Sequence, residues 1–242
     1  MNHRITREEV VFSFKQTIPV LLGYIFLGIA FGLLMSDSGY SIVLSGLCSI
    51  FVYAGSMQFV LAGLFLEKAS MLTVAFMTIF VNGRHIFYGL SFVEKFKKQG
   101  KRYPYLIASL TDETYSVLCN LDVIPKDKEI NTDNCIFLIS LLNHTYWITG
   151  TLIGALAGAL ISLDTTGIDF SMTALFTVIV INQWMDTKDH FPAICGGIIG
   201  LGCLLFIGAD KFLLPALFIT ACILIIKGTF ERNELQHKEC NL

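Results

Sequence analysis

Hydrophobic and polar positions in this chain come in blocks. A polar, basic start over residues 1–16, with Arg4, Arg7 and Lys15, leads into an apolar run from Thr17 to Ser36. Further apolar segments follow at Tyr40–Leu66, Ser70–Phe92, Pro104–Leu121, Cys135–Leu163, Phe170–Trp184, Pro192–Ala209 and Phe212–Phe230. A helical membrane span needs about 20 apolar residues, roughly 17 to 25. The runs beginning at Thr17, Tyr40, Ser70 and Cys135 reach that length, whereas Pro104–Leu121 and Phe170–Trp184 are short. The first run is longer than a signal-peptide core and ends in Met-Ser-Asp with no small-x-small cleavage site, so it reads as a retained helix. The pattern predicts an all-α, polytopic membrane protein with about 6–8 transmembrane helices. Its parts are a cytoplasmic segment over 1–16, a single transmembrane domain over 17–230 and a polar tail over 231–242.

Loop charge adds a conflict. The loop Glu94–Pro104 holds Lys95, Lys97, Lys98, Lys101 and Arg102, and the positive-inside rule makes it cytoplasmic. The N-terminus also reads cytoplasmic, while the turns at Asp37–Gly39 and Asp164–Gly167 carry no Lys or Arg and read external. Three full spans between the N-terminus and Glu94 would put the basic loop outside. Either Tyr40–Leu66 or Ser70–Phe92 is then re-entrant or broken, or the N-terminus faces out. Irregular backbone at membrane depth is tolerated only inside protein or beside a wet cavity, so the conflict itself hints at a polar pathway.

Glycines at Gly28 and Gly32, at Gly150, Gly154 and Gly158, and at Gly196 and Gly200 recur every fourth residue and give three helices a small-residue face. Such faces let backbones approach closely in lipid, and packing within the chain is preferred here over subunit dimerisation. The stretch from Gly28 resembles the stretch from Gly154: a glycine-spaced helix, a short acidic turn and a second apolar run. This is a weak internal repeat of the sort that transporters carry.

Four polar clusters interrupt the apolar runs. An ionised group at the bilayer centre costs about 2.5–3.5 kcal/mol on insertion scales, so such groups face a cavity or a partner. The first cluster, Tyr53 to Phe59, places Gly55, Ser56 and Gln58 mid-run. A helix break there would free backbone groups for a substrate; the alternative is an unbroken helix with a packing face. The second is Asn82, Arg84, His85 and Tyr88, which share one half of a helix. Arg84 stays charged and suits a carboxylate, and His85 titrates near neutral pH; by itself, Arg84 could instead snorkel toward the basic loop. The third is Thr111 to Ser116 with Asp112 and Glu113. One acid can neutralise Arg84 and the other carry a proton; equally, the short segment suits an amphipathic helix lying in the interface. The fourth, Asn143 to Trp147, reads either as a deep polar patch or as an aromatic anchor, with His144 as a hydrogen-bonded structural residue.

Composition narrows the classes. The chain has 242 residues, 54% hydrophobic and only 15% charged, with a net charge of −2. That charge deficit excludes an ordinary soluble enzyme or binding module, and the near-neutral balance points to no nucleic acid partner. The seven cysteines form no C-x-x-C pair and read as buried small hydrophobes, with no metal site and no cofactor. No P-loop, H-E-x-x-H or G-x-S-x-G motif occurs, so the chain reads as a non-enzyme. The rivals to a transporter are a channel or scaffold subunit and, further off, an intramembrane enzyme.

Taken together, the clusters resemble the AzlC-like family, the large subunit of bacterial branched-chain amino acid exporters. The resemblance rests on the glycine-rich first helix (Gly23, Gly28, Phe31, Gly32), on Ala54, Gly55, Ser56, Gln58 and Phe59, and on Asn82, Arg84, His85 and Tyr88. Thr111 to Glu113 and Gly167 to Phe170 extend it, so that it spans roughly residues 15–230. Two positions depart from the family pattern: Phe26 stands where proline is expected, and Met57 stands where alanine is common. The resemblance implies a multi-pass protein of the bacterial cytoplasmic (inner) membrane that exports leucine, isoleucine, valine and similar amino acids such as methionine. It also implies a small AzlD-like membrane subunit as partner and the proton motive force as driver. The expected pathway residues are Gly55, Ser56, Gln58, Asn82, Arg84, His85, Tyr88, Asp112, Glu113, Asn143 and Trp147.

Overall fold

The computed structural model describes residues 5–123, 130–160, 170, 173–174, 177–178, 180–181, 184–185, 187–208 and 212–240. All regular structure among them is helical. The chain divides into two compact units, Met1–Ala174 and Leu175–Leu242.

The first unit is built on two long helices, α1 (Arg7–Asp37) and α8 (Thr132–Leu160). They are the two described helices long and apolar enough to cross a membrane alone. At 1.5 Å per residue, α1 spans about 46 Å. It starts ten residues ahead of the apolar run, because Thr6 and Glu9 form a reciprocal capping box. The buried Glu9 also accepts from the backbone of Asn131 (3.1 Å) and the side chain of Asn134 (3.0 Å), tying the start of α1 to the start of α8. Further along, Tyr24 packs on Trp147, a Cβ on Gly28 would sit 2.9 Å from the Trp147 carbonyl, and Gly158 meets Ser36. The helices therefore run parallel in close register. Gly32 meets the backbone of Thr151 and Ala155, and Gly154 meets that of Ile29, so tightly that neither position admits a side chain. The glycine stripes of α1 and α8 are thus intramolecular packing, as preferred from the sequence, whereas Gly196 and Gly200 make no such close approach among the described residues.

Two short helix pairs lean on this frame. Helices α2 (Ile42–Phe51) and α3 (Gly55–Leu66) replace the single long run Tyr40–Leu66. Gly46 of α2 faces Leu152, and Tyr53 beyond its end stacks on His144, so α2 descends antiparallel to α8. α3 then climbs back: Gly55 abuts Trp147, Phe59 packs on Phe31, and Phe65 packs on Tyr40, where the pair began. The pair is a half-membrane hairpin with its tip at residues 52–54.

α4 (Met71–Asn82) and α5 (Arg84–Lys97) cross to the other end. Gly83 interrupts them but keeps helical angles (φ −53°, ψ −31°), so the direction is kept. There the 3₁₀ turn Gly100–Arg102 brings Arg102 to Asn134 (2.9 Å), beside the start of α8. Next, α6 (Tyr103–Ala108) rises and α7 (Asp112–Cys119) returns. Tyr105 packs on Phe137 and reaches His144, Thr111 touches Tyr24, and Asn120 comes back beside Gln16 and Pro19. Leu106, Leu110, Leu118 and Leu121 pack with Phe92, Phe96, Ile136 and Ile139 in one apolar cluster. This second hairpin enters from the basic-loop end, with its tip at Ser109–Thr111.

The topology resolves the charge conflict. α1 crosses, the first hairpin returns to its own side, α4–α5 cross back, and the basic loop rejoins the N-terminal end. Pro104–Leu121 is therefore no interfacial helix: it is broken at Ser109–Thr111, and the leucines of both arms are buried.

The second unit contains α9 (Phe191–Ile207) and α10 (Leu213–Cys240). Lys227 bonds Asp189 at 2.8 Å and lies 4.2 Å over the Phe191 ring. The backbone of α10 stays helical to Cys240, through the stretch expected as a polar tail. The second half of the internal repeat, the turn Asp164–Gly167 and most of Phe170–Trp184 lie outside the described residues.

Candidate functional site

The two hairpin tips approach from opposite ends and meet midway along α1 and α8. α3 begins there at Gly55 and α7 at Asp112, so two helix N-termini converge, each carrying a partial positive charge. The ends differ. Thr111 caps α7 through its side chain, and Asp112 and Glu113 occupy its first turn. α3 has no side-chain cap and no acid, so its first N–H groups lack an intrahelical partner. Gly55 permits this: a Cβ there would lie 3.1 Å from the Trp147 ring.

Arg84, at the start of α5, joins the tips. It donates to Ser56 at 3.1 Å and forms an ion pair with Asp112 at 2.5 Å. The two side chains are 30% and 32% exposed, so the pair borders open space. Glu113 takes the other direction. It accepts from the Tyr24 hydroxyl (2.6 Å), which also shares a 2.6 Å hydrogen bond with Thr111, and it has no cationic partner among the described residues. From Thr111 the hydroxyl chain continues to Thr114 (3.0 Å), to which Asn143 donates (3.1 Å). A cleft of about 450 Å³ between α1 and α7, lined by Gln16, Gly23, Tyr24, Glu113 and Ser116, reaches this point from the basic-loop end.

His144 is the peg between the hairpins. Its Nε2 meets the Ser49 carbonyl (3.2 Å), its Nδ1 meets the Tyr105 hydroxyl (3.1 Å), and its ring stacks on Tyr53 at 4.2 Å. Gln58 is fully buried and donates to Ser49, which donates to Thr151. Many buried polar atoms around the junction nonetheless lack partners: Tyr53 OH, Gln58 Oε1, Asn82 Oδ1, Arg84 Nε, Asp112 Oδ1, Asn143 Oδ1 and Trp147 Nε1. Each such group costs about 1–3 kcal/mol if left dry, so their concentration in one place marks a position where water or a ligand belongs.

The expected residues Gly55, Ser56, Arg84, Asp112, Glu113 and Trp147 thus gather at one junction, with Gln58 and Asn143 on the polar chains beside it and Asn82 at the end of α4, two residues before Arg84. Trp147 is 2% exposed and is no interfacial anchor. His85 bonds the Asn82 carbonyl (3.1 Å) and packs edge-on against Tyr88, while Tyr88 stacks on Tyr115 toward the apolar cluster, and both lie within electrostatic reach of Asp112. Of the two departures from the family pattern, Phe26 is 73% exposed on the outer face of α1, whereas Met57 is 2% exposed inside. Tyr24, Ser49 and Thr151 escaped the sequence reading, and Thr114 was marked only as a member of the Thr111–Ser116 cluster. For Tyr24 a signal existed: it precedes Gly28 and Gly32 at four-residue spacing and so lies on the buried face of α1.

The AzlC protein family model matches residues 19–161, which include both hairpins. The branched-chain amino acid transport protein AzlC of Bacillus subtilis (strain 168) is 36% identical, over 92% of this chain and 87% of its own length. A membrane protein of Helicobacter pylori (strain ATCC 700392 / 26695) is 41% identical, over 88% of this chain and 92% of its own. The inner membrane protein YgaZ of Escherichia coli (strain K12) is 27% identical, over 60% of this chain and 59% of its own. No solved structure matches. With the family model covering more than half of the chain and a 36% identical relative covering nearly all of it, the chain belongs to the AzlC protein family of membrane proteins.

Proposed function

We propose that this chain is the large permease subunit of an exporter that carries leucine, isoleucine and valine, and also methionine, out across the bacterial cytoplasmic membrane. The observation that carries the reading is the junction itself: two short helical hairpins, an ion pair open to space and a set of unpartnered polar atoms, all midway along the two long helices. Discontinuous helices meeting at the midplane are the usual construction of secondary transporter sites. Aromatic and apolar groups beside it, Tyr24 with Trp147 and Phe31 with Phe59, offer walls for an aliphatic side chain. The Bacillus subtilis relative's name supplies the cargo.

The driver in this reading is the proton motive force. Asp112 is committed to Arg84, which leaves Glu113 as the acid that takes up and releases a proton, with Tyr24 and Thr111 as its hydroxyl contacts and the cleft as its route to water. A small AzlD-like membrane subunit completes the permease.

Proteoliposomes test this. Vesicles carrying this chain, with and without the small subunit, are loaded with labelled leucine, isoleucine or valine, and a pH gradient is imposed. The reading predicts saturable efflux that a protonophore abolishes. Efflux no faster than from protein-free vesicles, in both preparations and for all three amino acids, would overturn it.

A further inference from the structure

The polar atoms at the junction are of two kinds. Donors are Arg84, whose Nε has no partner, the uncapped N–H groups at the start of α3 and the Trp147 Nε1. Acceptors are the Asp112 Oδ1, the Asn82 Oδ1 and the Gln58 Oε1. A carboxylate accepts only and needs donors; an ammonium carries three donors and needs acceptors. The Arg84–Asp112 pair contributes one member to each kind, and each partner has used only part of its bonding capacity.

We propose that this ion pair is the resting stand-in for the two charges of a free α-amino acid. The cargo breaks the pair, its carboxylate taking Arg84 with the start of α3, and its ammonium taking Asp112. The inference rests on the transport reading above and adds which groups recognise the cargo and which molecules they exclude. Breaking a partly buried ion pair is costly when one charge is left alone. A zwitterion replaces both partners at once and leaves neither charge bare. A molecule with one charge replaces only one partner and strands the other. The site is thus selective for α-amino acids against their own deaminated or decarboxylated analogues, even where the aliphatic part is identical. The opposite dressing of the two half-helices fixes orientation as well: the bare end of α3 suits the carboxylate, and the acid-loaded end of α7 suits the ammonium.

The test is equilibrium binding to the full-length chain in nanodiscs. The probes are the free amino acids, isopentylamine, 4-methylpentanoate and 4-methyl-2-oxopentanoate. For the wild-type chain the expected result is leucine binding at least about a hundredfold tighter than any of the three analogues. Asp112→Asn should lose leucine by a similar factor and gain 4-methyl-2-oxopentanoate, because Arg84 is then free to take a carboxylate. Arg84→Gln should shift preference toward isopentylamine. If an analogue binds the wild-type chain within tenfold of leucine, or if Asp112→Asn keeps leucine affinity, the proposal fails while branched-chain transport stands. If none of leucine, isoleucine and valine binds but another α-amino acid does, with the same need for both charges, the cargo reading fails and this proposal stands. The wild-type arm needs no variant to fold.

Discussion

The two hairpins are alike in outline and opposite in finish. Each enters from its own end, turns at mid-membrane and leaves a helix N-terminus facing the other. The α2–α3 hairpin turns through Val52, Tyr53 and Ala54, and its second helix starts bare. The α6–α7 hairpin turns through Ser109 to Thr111, and its second helix starts capped and acidic. A buried helix end without a cap is unfinished unless something else supplies the acceptor. One hairpin is therefore complete in itself, and the other waits for a partner.

Both hairpins hang on α1 and α8, so the largest effect comes from parting those helices. Gly32→Leu drives a side chain into the backbone of Thr151 and Ala155, where nothing flexible can yield. The cost is about 3 kcal/mol or more, and the monodisperse peak in detergent gel filtration should disappear. His144→Ala comes next. It removes contacts to both hairpins at once and should cost about 2–3 kcal/mol, read as a lower melting temperature. Arg84→Gln leaves Asp112 without its cation. As the pair is about a third exposed, the loss should be about 1–3 kcal/mol, below the value for a dry pair, while branched-chain efflux falls to background.

Much of this was legible beforehand. The odd number of apolar runs before a basic loop meant that one run turned back or that the N-terminus faced out, and Gly55 and Ser56 marked a candidate break. The second turn was hidden. Ser109 and Thr111 are tolerated in helices, and Pro104–Leu121 is short enough to pass for one surface helix. The partner of Arg84 was narrowed to two adjacent acids. Only the cap at Thr111, which sets the rotation of α7, decides that Asp112 meets Arg84 and Glu113 meets Tyr24. Tyr24 itself looked like one more aromatic in an apolar run, because its polar partners come from a helix about 90 residues away.

Smaller substitutions sharpen the contrast between the tips. Thr111→Ala removes the cap from the finished hairpin and should cost about 1 kcal/mol, visible in thermal unfolding. Ala54→Asp does the reverse. It supplies the α3 end with its own carboxylate, so leucine affinity should drop by about tenfold or more while stability is kept or rises by a few tenths of a kcal/mol. An Ala54→Asp protein that binds leucine normally would show that the bare end does not meet the cargo.

The account depends most on the first hairpin turning back. Single cysteines at Ser38, Lys68 and Lys98 in a cysteine-free chain, probed with a membrane-impermeant maleimide on intact cells and on inverted vesicles, test that directly. The account predicts that Ser38 and Lys68 label from the same side and Lys98 from the opposite one. Ser38 and Lys68 labelling from opposite sides would make Tyr40–Leu66 a full crossing and contradict it.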